Sequence, residues 1–377
     1  MSYTNKSSKL RLILFGALVA MMILEAFLRV VSVKDLWGLA RVLTGEKLTD
    51  CATRDRQFHH KLVPNCSGVI KTLDYTVNLA TNSLGFRDEE INKEKKDYRV
   101  LILGDSFAEG WGVEVDDRFD NIAQEILEAR NKKTEIINAG VRSYSPILAL
   151  SLLKNKLIDL EPDMVILMFD MSDLHDDFYY GGWQRHFDEV EEIDPGWPPQ
   201  VEVWPPSYGK YKSFLMNSET FKTVYREVGS SYLNKNHKLT LTNLSWDISL
   251  FAKAQDWENF DKAWNLNIAN MLLMSHFLDQ KGIKFAVAVV PRGIYVSAGE
   301  WGEGRESLGI EKNKLYDPLP IEIIQKWLNS KNIKSIDLFE SLKNSRKFPL
   351  YYRFDGHWTE EGNKIVGEVL ADFLYDI

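Results

Sequence analysis

Apolar strand-like runs alternate with helix-like segments from residue 98 onwards, and this alternation restricts the possible folds more than any other feature. Five runs predict strands: Tyr98–Leu103, Glu135–Ala139, Met164–Phe169, Phe285–Val290 and Lys334–Leu338. Helical periodicity predicts helices at Phe119–Ala129, Pro146–Leu160, Trp257–Gln280, Ile321–Leu328 and Glu360–Tyr375. Apolar strands separated by helices are typical of a parallel sheet covered on both faces. The pattern therefore predicts an α/β domain, with ligands bound at the carboxyl ends of the strands.

The overall composition favours a folded, acidic protein. The 377 residues are 45% hydrophobic and 27% charged, and the formal net charge at pH 7 is -8. Such a hydrophobic content supports a globular core, whereas a nucleic-acid partner requires a basic face that this charge does not provide. The sequence also lacks a glycine-rich phosphate-binding loop. We therefore expect no nucleic-acid partner, no cofactor and no metal.

The N-terminal residues carry the pattern of a membrane signal anchor. Basic residues within the first eleven positions precede an apolar run from Leu12 to Leu24, which continues beyond Glu25 and Arg29. About 20 mostly apolar residues span a bilayer, and a basic flank keeps its own side cytoplasmic. Residues 1–32 are thus predicted to be an uncleaved anchor at the cell membrane, with the rest of the chain periplasmic or extracellular. A cleaved signal peptide and a buried soluble helix remain as alternatives.

Residues 33–96 predict a juxtamembrane helix followed by a small β-rich lead-in. The lead-in contains both cysteines of the chain, Cys51 and Cys66, and neither belongs to a C-x-x-C motif. If the region lies outside the cytoplasm, a local disulfide is expected; the alternative is two unpaired thiols. The α/β domain then occupies residues 97–377. It carries an insertion at about 176–256, which is either a lid or substrate platform or a surface addition.

Two motifs at opposite ends of the α/β pattern indicate nucleophilic catalysis. Ser106 follows the first predicted strand within Gly104-Asp105-Ser106, which places its hydroxyl at the predicted ligand edge. A serine needs a base to remove its proton. His357 is the candidate general base, and Asp355, two residues earlier, is the candidate group that orients the imidazole. The combination predicts a Ser-His-Asp triad.

Further candidates lie at the ends of the second and third strands. The backbone N–H groups of Ser106 and Gly140, together with Ser172, are the expected donors to an oxyanion. The acidic residues from Asp170 to Asp177 do not have the spacing of a cation-binding loop. We interpret them as a strand end followed by a solvated loop.

These blocks resemble those of the SGNH, or GDSL-type, hydrolase superfamily. Ser106 matches the first block, Gly140 the second, and Asp355 with His357 the last, in a short D-x-H form. The resemblance implies a flavodoxin-like three-layer fold with a central parallel five-stranded sheet. It also implies that an oxyanion-hole Asn belongs at position 172. Ser172 departs from that pattern, since a hydroxyl donates one hydrogen bond with a shorter reach.

The resemblance implies three functional hypotheses. The first is an esterase that removes acyl groups, mainly O-acetyl, from cell-envelope or exported polysaccharide. The second is a polysaccharide O-acetyltransferase that uses the same triad, with an acyl-transfer or polysaccharide-assembly partner in the membrane. The third is a degenerate glycan-binding or scaffold module, which the Ser172 substitution motivates and the complete triad disfavours. Acylated carbohydrate is the expected substrate.

Overall fold

The computed structural model describes residues 16, 19–22, 47–48, 51–55, 57–91, 97–179, 260–307 and 310–377. The chain divides into two compact units, of which one comprises residues 47–201 and 240–377. The other comprises residues 1–46 and 202–239 and lies almost wholly outside the described residues. The predicted juxtamembrane helix and most of the predicted insertion also lie outside them. The account below therefore concerns the first unit.

A five-stranded, all-parallel sheet forms the centre of this unit, as the sequence predicts. Its strands are β6 (Tyr98–Leu103), β7 (Thr134–Asn138), β8 (Met164–Phe169), β9 (Lys284–Val289) and β10 (Lys334–Asp337). The spatial order is β7-β6-β8-β9-β10, which is the doubly wound order 2-1-3-4-5. Each residue of β8 is buried, because helices cover both faces of the sheet. The predicted bounds of β6 and β8 are those observed. The observed β7 and β9 begin and end one residue before the predicted bounds, and β10 ends one residue earlier than predicted.

The described residues of this unit form ten helices. They are α1 (Ser106–Glu109), α2 (Phe119–Ala129), α3 (Pro146–Leu152), α4 (Asp173–Tyr179), α5 (Phe260–Asp279), α6 (Gly293–Val296), α7 (Gly302–Ser307), α8 (Leu319–Ser330), α9 (Phe339–Lys343) and α10 (Glu360–Tyr375). α2 and α10 pack together on one side, and α3, α4 and α5 pack together. The predicted helix 146–160 is continued after α3 by a π turn, Leu153–Leu157, and a 3-10 turn, Ile158–Leu160. The short helices at the strand ends have too few residues for a periodic pattern to reveal them.

The lead-in forms two small antiparallel sheets. Strands β1 (Lys47–Leu48), β4 (Ser67–Lys71) and β5 (Thr76–Ala80) make one, and β2 (Ala52–Asp55) with β3 (His59–Leu62) makes the other. Cys51 and Cys66 form a disulfide, which confirms the first of the two alternatives for these cysteines. Cys51 is buried with Tyr75 and Tyr352 in one apolar cluster. Tyr352 belongs to the α/β domain, so the lead-in packs directly on that domain.

In the described part of the chain, no helix is both long and apolar enough to cross a membrane. Of the predicted anchor, only Gly16 and residues 19–22 are described, and they are helical.

The disulfide predicts a measurable contribution to stability. Loss of the bond in a Cys51→Ser, Cys66→Ser double variant should lower the free energy of unfolding by about 3 kcal/mol, since the bond closes a loop of about 15 residues in the unfolded chain. Urea denaturation of both proteins measures the difference. Dithiothreitol should shift the wild-type midpoint and leave the variant unchanged. Equal midpoints for the two proteins under oxidising conditions would contradict the prediction.

Candidate active site

Ser106 lies at the carboxyl end of β6, where the chain turns directly into α1. The strand order reverses at β6, and doubly wound sheets bind ligands at such a switch point. Gly104 makes the turn with a φ of +150°, and a Cβ there would lie 2.8 Å from the Cβ of Met168. Asp105 then caps α1 by accepting a hydrogen bond from the Phe107 N–H at 2.9 Å. The turn therefore requires glycine and holds the half-buried Ser106 at the edge of the sheet.

The structure brings Ser106, His357 and Asp355 together. Ser106 Oγ lies 2.7 Å from Nε2 of His357, which is 251 residues further along the chain. Nδ1 of His357 is hydrogen-bonded to Oδ1 of Asp355. A neutral imidazole has one donor and one acceptor nitrogen, so Nδ1–H towards the carboxylate leaves Nε2 to accept from the serine hydroxyl. This arrangement can remove the serine proton during attack.

The loop that carries Asp355 and His357 is held by residues of the lead-in. The hydroxyl of Tyr75 donates to Oδ2 of Asp355 at 2.7 Å. The carboxylate of Asp74 accepts from the N–H groups of Phe354 and Asp355 at 2.9 and 2.8 Å. Tyr75 thus fixes the carboxylate of the D-x-H motif, and Asp74 fixes the backbone that carries it.

Two carboxyl groups near Ser106 have opposite pKa shifts. Burial alone would raise the pKa of Asp355, but His357 and the hydrogen bonds from His357 and Tyr75 outweigh it and lower this pKa to about 2. For Asp105, burial and the neighbouring Asp170 raise the pKa, and Arg292 and His357 offset this only in part. Asp355 is therefore ionised at neutral pH, as a group that stabilises an imidazolium must be, whereas Asp105 is biased towards its neutral form.

Gly140 lies against α1, as its place in the second block suggests. A Cβ on Gly140 would lie 2.4 Å from the backbone nitrogen of Glu109, so only glycine fits there. Its N–H donates to Oδ1 of Asn138 at 2.9 Å, and Nδ2 of Asn138 donates to the carbonyl of Ala108 at 2.7 Å. The Gly140 N–H is therefore already engaged in this structure, and its role as an oxyanion donor stays a prediction.

The other two expected oxyanion donors, Ser106 and Ser172, follow β6 and β8, which are neighbouring strands of the sheet. Ser172 is half-buried after β8, and its N–H donates to Oδ1 of Asp170. Ser106 begins α1, and the first N–H groups of a helix have no intrahelical acceptor. Its N–H is therefore available to a bound carbonyl oxygen.

The acidic segment after β8 is not a solvated loop, and that interpretation was wrong. Asp170 is fully buried, and Asp173, Asp176 and Asp177 lie in α4 with at most 7% exposure. Arg292 pairs with Asp170 at 2.8 Å. Asp177 accepts from the side chain of Asn270 and from the backbone of Ile147, and burial raises the pKa of Asp173 and of Asp176 well above the usual range. The segment is buried because α4 packs against α3 and α5.

A comparison of the sequence with protein families adds to this geometry. Residues 249–376 match the model of an SGNH hydrolase-like domain, acetyltransferase AlgX. The unit has an SGNH hydrolase-like fold. The match includes Asp355 and His357 but begins after Ser106, and it confirms the SGNH resemblance from a part of the chain other than the G-D-S motif. An esterase or acyltransferase activity fits this fold and this domain.

Solved GDSL-type structures are also similar to this chain. A lipolytic G-D-S-L protein from Desulfitobacterium hafniense is 14% identical and has a TM-score of 0.36, over 73% of this chain and 99% of that one. A lipase/acylhydrolase from Enterococcus faecalis is 12% identical with a TM-score of 0.38, over 74% and 95%. An acetyl xylan esterase is 14% identical with a TM-score of 0.38, over 73% and 99%. No curated protein matches the sequence.

Sequence reasoning missed three residues that contact the SGNH blocks. Asp74 and Tyr75 lie in the turn between β4 and β5, and nothing in their spacing indicates a distant partner. Arg292 lies three residues after the end of β9, and the rule that ligands bind at strand ends indicates this position. Asn138 also belongs to the second block. The motif does not predict its hydrogen bond to the carbonyl of Ala108 in α1, because that contact depends on the tertiary structure.

The Tyr75–Asp355 hydrogen bond predicts a pH-dependent stability difference. In a Tyr75→Phe variant the unfolding free energy near neutral pH should fall by about 1.5 kcal/mol, because the carboxylate loses a donor. The pKa of folded Asp355, about 2, lies below its ordinary value of 3.8. The stabilisation is therefore present above about pH 4 and is lost as the pH falls towards about 2.

Urea denaturation between about pH 5 and about pH 2.5 measures this effect. The difference between wild type and Tyr75→Phe should shrink on acidification. Tyr375→Phe is the control, since that side chain is 47% exposed and lies on α10, and it should change stability little at either pH. A Tyr75→Phe difference that stays constant over this range would contradict the prediction.

Proposed function

We propose that this protein is a membrane-anchored, extracytoplasmic serine esterase that removes O-acetyl and related acyl groups from cell-envelope or exported polysaccharide. One observation carries the catalytic part. The Ser106 hydroxyl lies 2.7 Å from Nε2 of His357, whose other ring nitrogen is bonded to the carboxylate of Asp355. Three groups in these roles are needed for acyl transfer through serine, and other uses of the fold do not require them.

In the proposed reaction, Ser106 Oγ attacks the acyl carbonyl carbon while its proton passes to Nε2 of His357. The carbonyl π electron pair moves to the oxygen, which forms a tetrahedral oxyanion. As this collapses, the bond to the sugar oxygen breaks and that oxygen takes the proton from His357. Water then attacks the acyl-enzyme, gives a proton to His357 and releases the carboxylic acid, and Ser106 regains its proton. Asp355 remains ionised throughout and stabilises the transient imidazolium.

The proposed location rests on two features of the chain. The Cys51–Cys66 disulfide supports export, since such bonds persist mainly in oxidising compartments. The basic residues before the apolar N-terminal run support an anchor with its N-terminus in the cytoplasm. Within that run, Met21 and Met22 are helical and more than half exposed, which suits side chains that contact lipid.

A polysaccharide O-acetyltransferase is the second candidate. The domain matched by residues 249–376 is described as that of an acetyltransferase, which favours it. In this reaction a sugar hydroxyl replaces water in the second step, and its proton goes to His357 in the same way. The triad serves both reactions, so acceptor binding distinguishes them.

The triad predicts the loss of covalent labelling and of ester turnover in two variants. The full chain, purified in detergent, should react with a fluorophosphonate probe and hydrolyse p-nitrophenyl acetate. Ser106→Ala and His357→Ala should each reduce turnover roughly 10⁴-fold or more, because the two groups act as one unit. Ser106→Ala should also abolish labelling.

Matched controls come from the surface. Ser330→Ala and His276→Ala alter exposed residues of α8 and α5 and should leave both readouts unchanged. If wild type and both triad variants are equally inert, the proposed esterase fails. With an acetylated glycan as donor, release of free acetate identifies the hydrolase, whereas acetate that appears on an added acceptor glycan identifies the transferase.

The anchor predicts where the chain is found in cells. The full chain should sediment with membranes and resist alkaline carbonate extraction, because its N-terminal run spans the bilayer. Protease added to intact spheroplasts should digest the α/β domain, which we place outside the cytoplasm. A variant without residues 1–32 should no longer sediment with membranes. Protection of the domain in spheroplasts, with digestion only after lysis, would contradict the proposed topology.

A further inference from the structure

The oxyanion side of the site lacks donors that an SGNH reaction needs. The Gly140 N–H is engaged by Asn138, and Ser172 replaces the amide that the third block normally provides. The Ser106 N–H then remains, together with the Ser172 hydroxyl, which donates one hydrogen bond with a shorter reach than an amide. Because the loss of one oxyanion donor costs ~10²–10³ in rate, an additional donor would raise the rate by a comparable factor.

Arg292 lies beside the position of the missing amide. It follows β9, the neighbour of β8 in the sheet, and β8 leads into Ser172. Nη2 of Arg292 lies 2.9 and 2.8 Å from the two carboxylate oxygens of Asp170. The Ser172 N–H donates to the same carboxylate. One buried carboxylate therefore holds both the guanidinium and the segment that carries Ser172.

The same guanidinium packs on the ring of Phe107, which also packs against the ring of His357. Its central carbon lies 5.0 Å from the centroid of the Phe107 ring, and that ring centroid lies 4.8 Å from the His357 ring centroid. Phe107 directly follows the nucleophile in sequence. The residue before Arg292 is fixed from the catalytic loop as well, since the Tyr351 hydroxyl donates to the carbonyl of Pro291 at 2.7 Å. Arg292 is thus positioned both by the α1 turn that carries Ser106 and by the loop that carries Asp355 and His357.

Arg292 retains unused donors. Only Nη2 is hydrogen-bonded, and among the described residues neither Nε nor Nη1 has a hydrogen-bond partner. The side chain is 11% exposed, and Ser106 and Ser172 lie half-buried after the neighbouring strands of the same sheet. A guanidinium stays charged at every pH the enzyme meets and presents its N–H groups in a rigid fork.

We propose that Arg292 is a catalytic residue that donates from its guanidinium to the acyl carbonyl oxygen as the oxyanion forms, in place of the amide absent at position 172. The inference rests on the proposed function, because it requires ester chemistry at Ser106. When Ser106 attacks, the carbonyl electron pair moves to the oxygen that Arg292 contacts. Arg292 keeps its protons throughout, and the serine proton goes to His357.

The test uses p-nitrophenyl acetate, a neutral ester with no anionic group for an arginine to bind. We expect Arg292→Gln to lower kcat ~100-fold with KM changed less than ~3-fold, since the interaction forms only in the transition state. The kcat of Arg292→Lys should lie between those of wild type and Arg292→Gln, because an ammonium group keeps the charge but loses the forked arrangement of N–H donors. Adding Ser172→Asn to Arg292→Gln should restore kcat by ~10-fold or more, because it returns an amide donor to the site.

Arg99→Gln is the matched control for the loss of a buried, ion-paired arginine. Arg99 pairs with Glu135 at the amino end of β6, away from the site. Arg99→Gln should therefore lower the midpoint of thermal unfolding and leave the kcat per folded molecule unchanged. Two results would overturn the inference: a wild-type kcat in folded Arg292→Gln, or a loss of kcat that Ser172→Asn does not reverse. If wild-type protein is inert and indistinguishable from Ser106→Ala, the proposed function itself fails, and the role of Arg292 with it.

Discussion

The parallel register of β6, β8 and β9 delivers the polar groups of the site to one edge of an otherwise apolar sheet. Leu103 pairs with Leu167, and Phe169 pairs with Val289, so the three strands end close to one another. Their interiors are buried and apolar, which confines polar side chains to the residues that follow. Asp170 and Arg292 are buried together as an ion pair, and their attraction offsets much of the desolvation free energy that burying either charge alone would cost.

The lead-in contributes to the site and is joined to the α/β domain by buried arginines. Arg87 donates to the carbonyls of Gly110 and Val113, both beyond the nucleophile turn. Arg118 pairs with Asp88 of the lead-in and with Asp120 of α2. These contacts satisfy charged groups that would otherwise be costly to bury. They also fix the lead-in surface from which Tyr75 and Asp74 contact the loop that carries Asp355 and His357. The orientation of Asp355 therefore depends on a region outside the α/β domain.

The sequence predicts the central sheet because burial on both faces leaves an unambiguous apolar signature, as in β8. It predicts that Ser106 and His357 meet because a catalytic serine needs a base and because Asp355 and His357 resemble the last SGNH block. The hydrogen bond from Tyr75 to Asp355 is not predictable in this way, since it joins residues 280 positions apart through packing that has no local pattern. The interpretation of the acidic segment that forms α4 was wrong for a related reason. Its composition predicts solvent-exposed carboxylates, whereas contacts with helices that are distant in sequence bury them.

The distance along the chain between Ser106 and His357 has a consequence for synthesis. The nucleophile turn leaves the ribosome 251 residues before its base, and α10, which follows the base, packs on α2 from the early part of the domain. Contacts of such large sequence separation form late, because the intervening chain must first be ordered. A nascent chain therefore carries Ser106 without its histidine partner during most of its elongation, and the contact between the two residues forms only after residue 357 has been added.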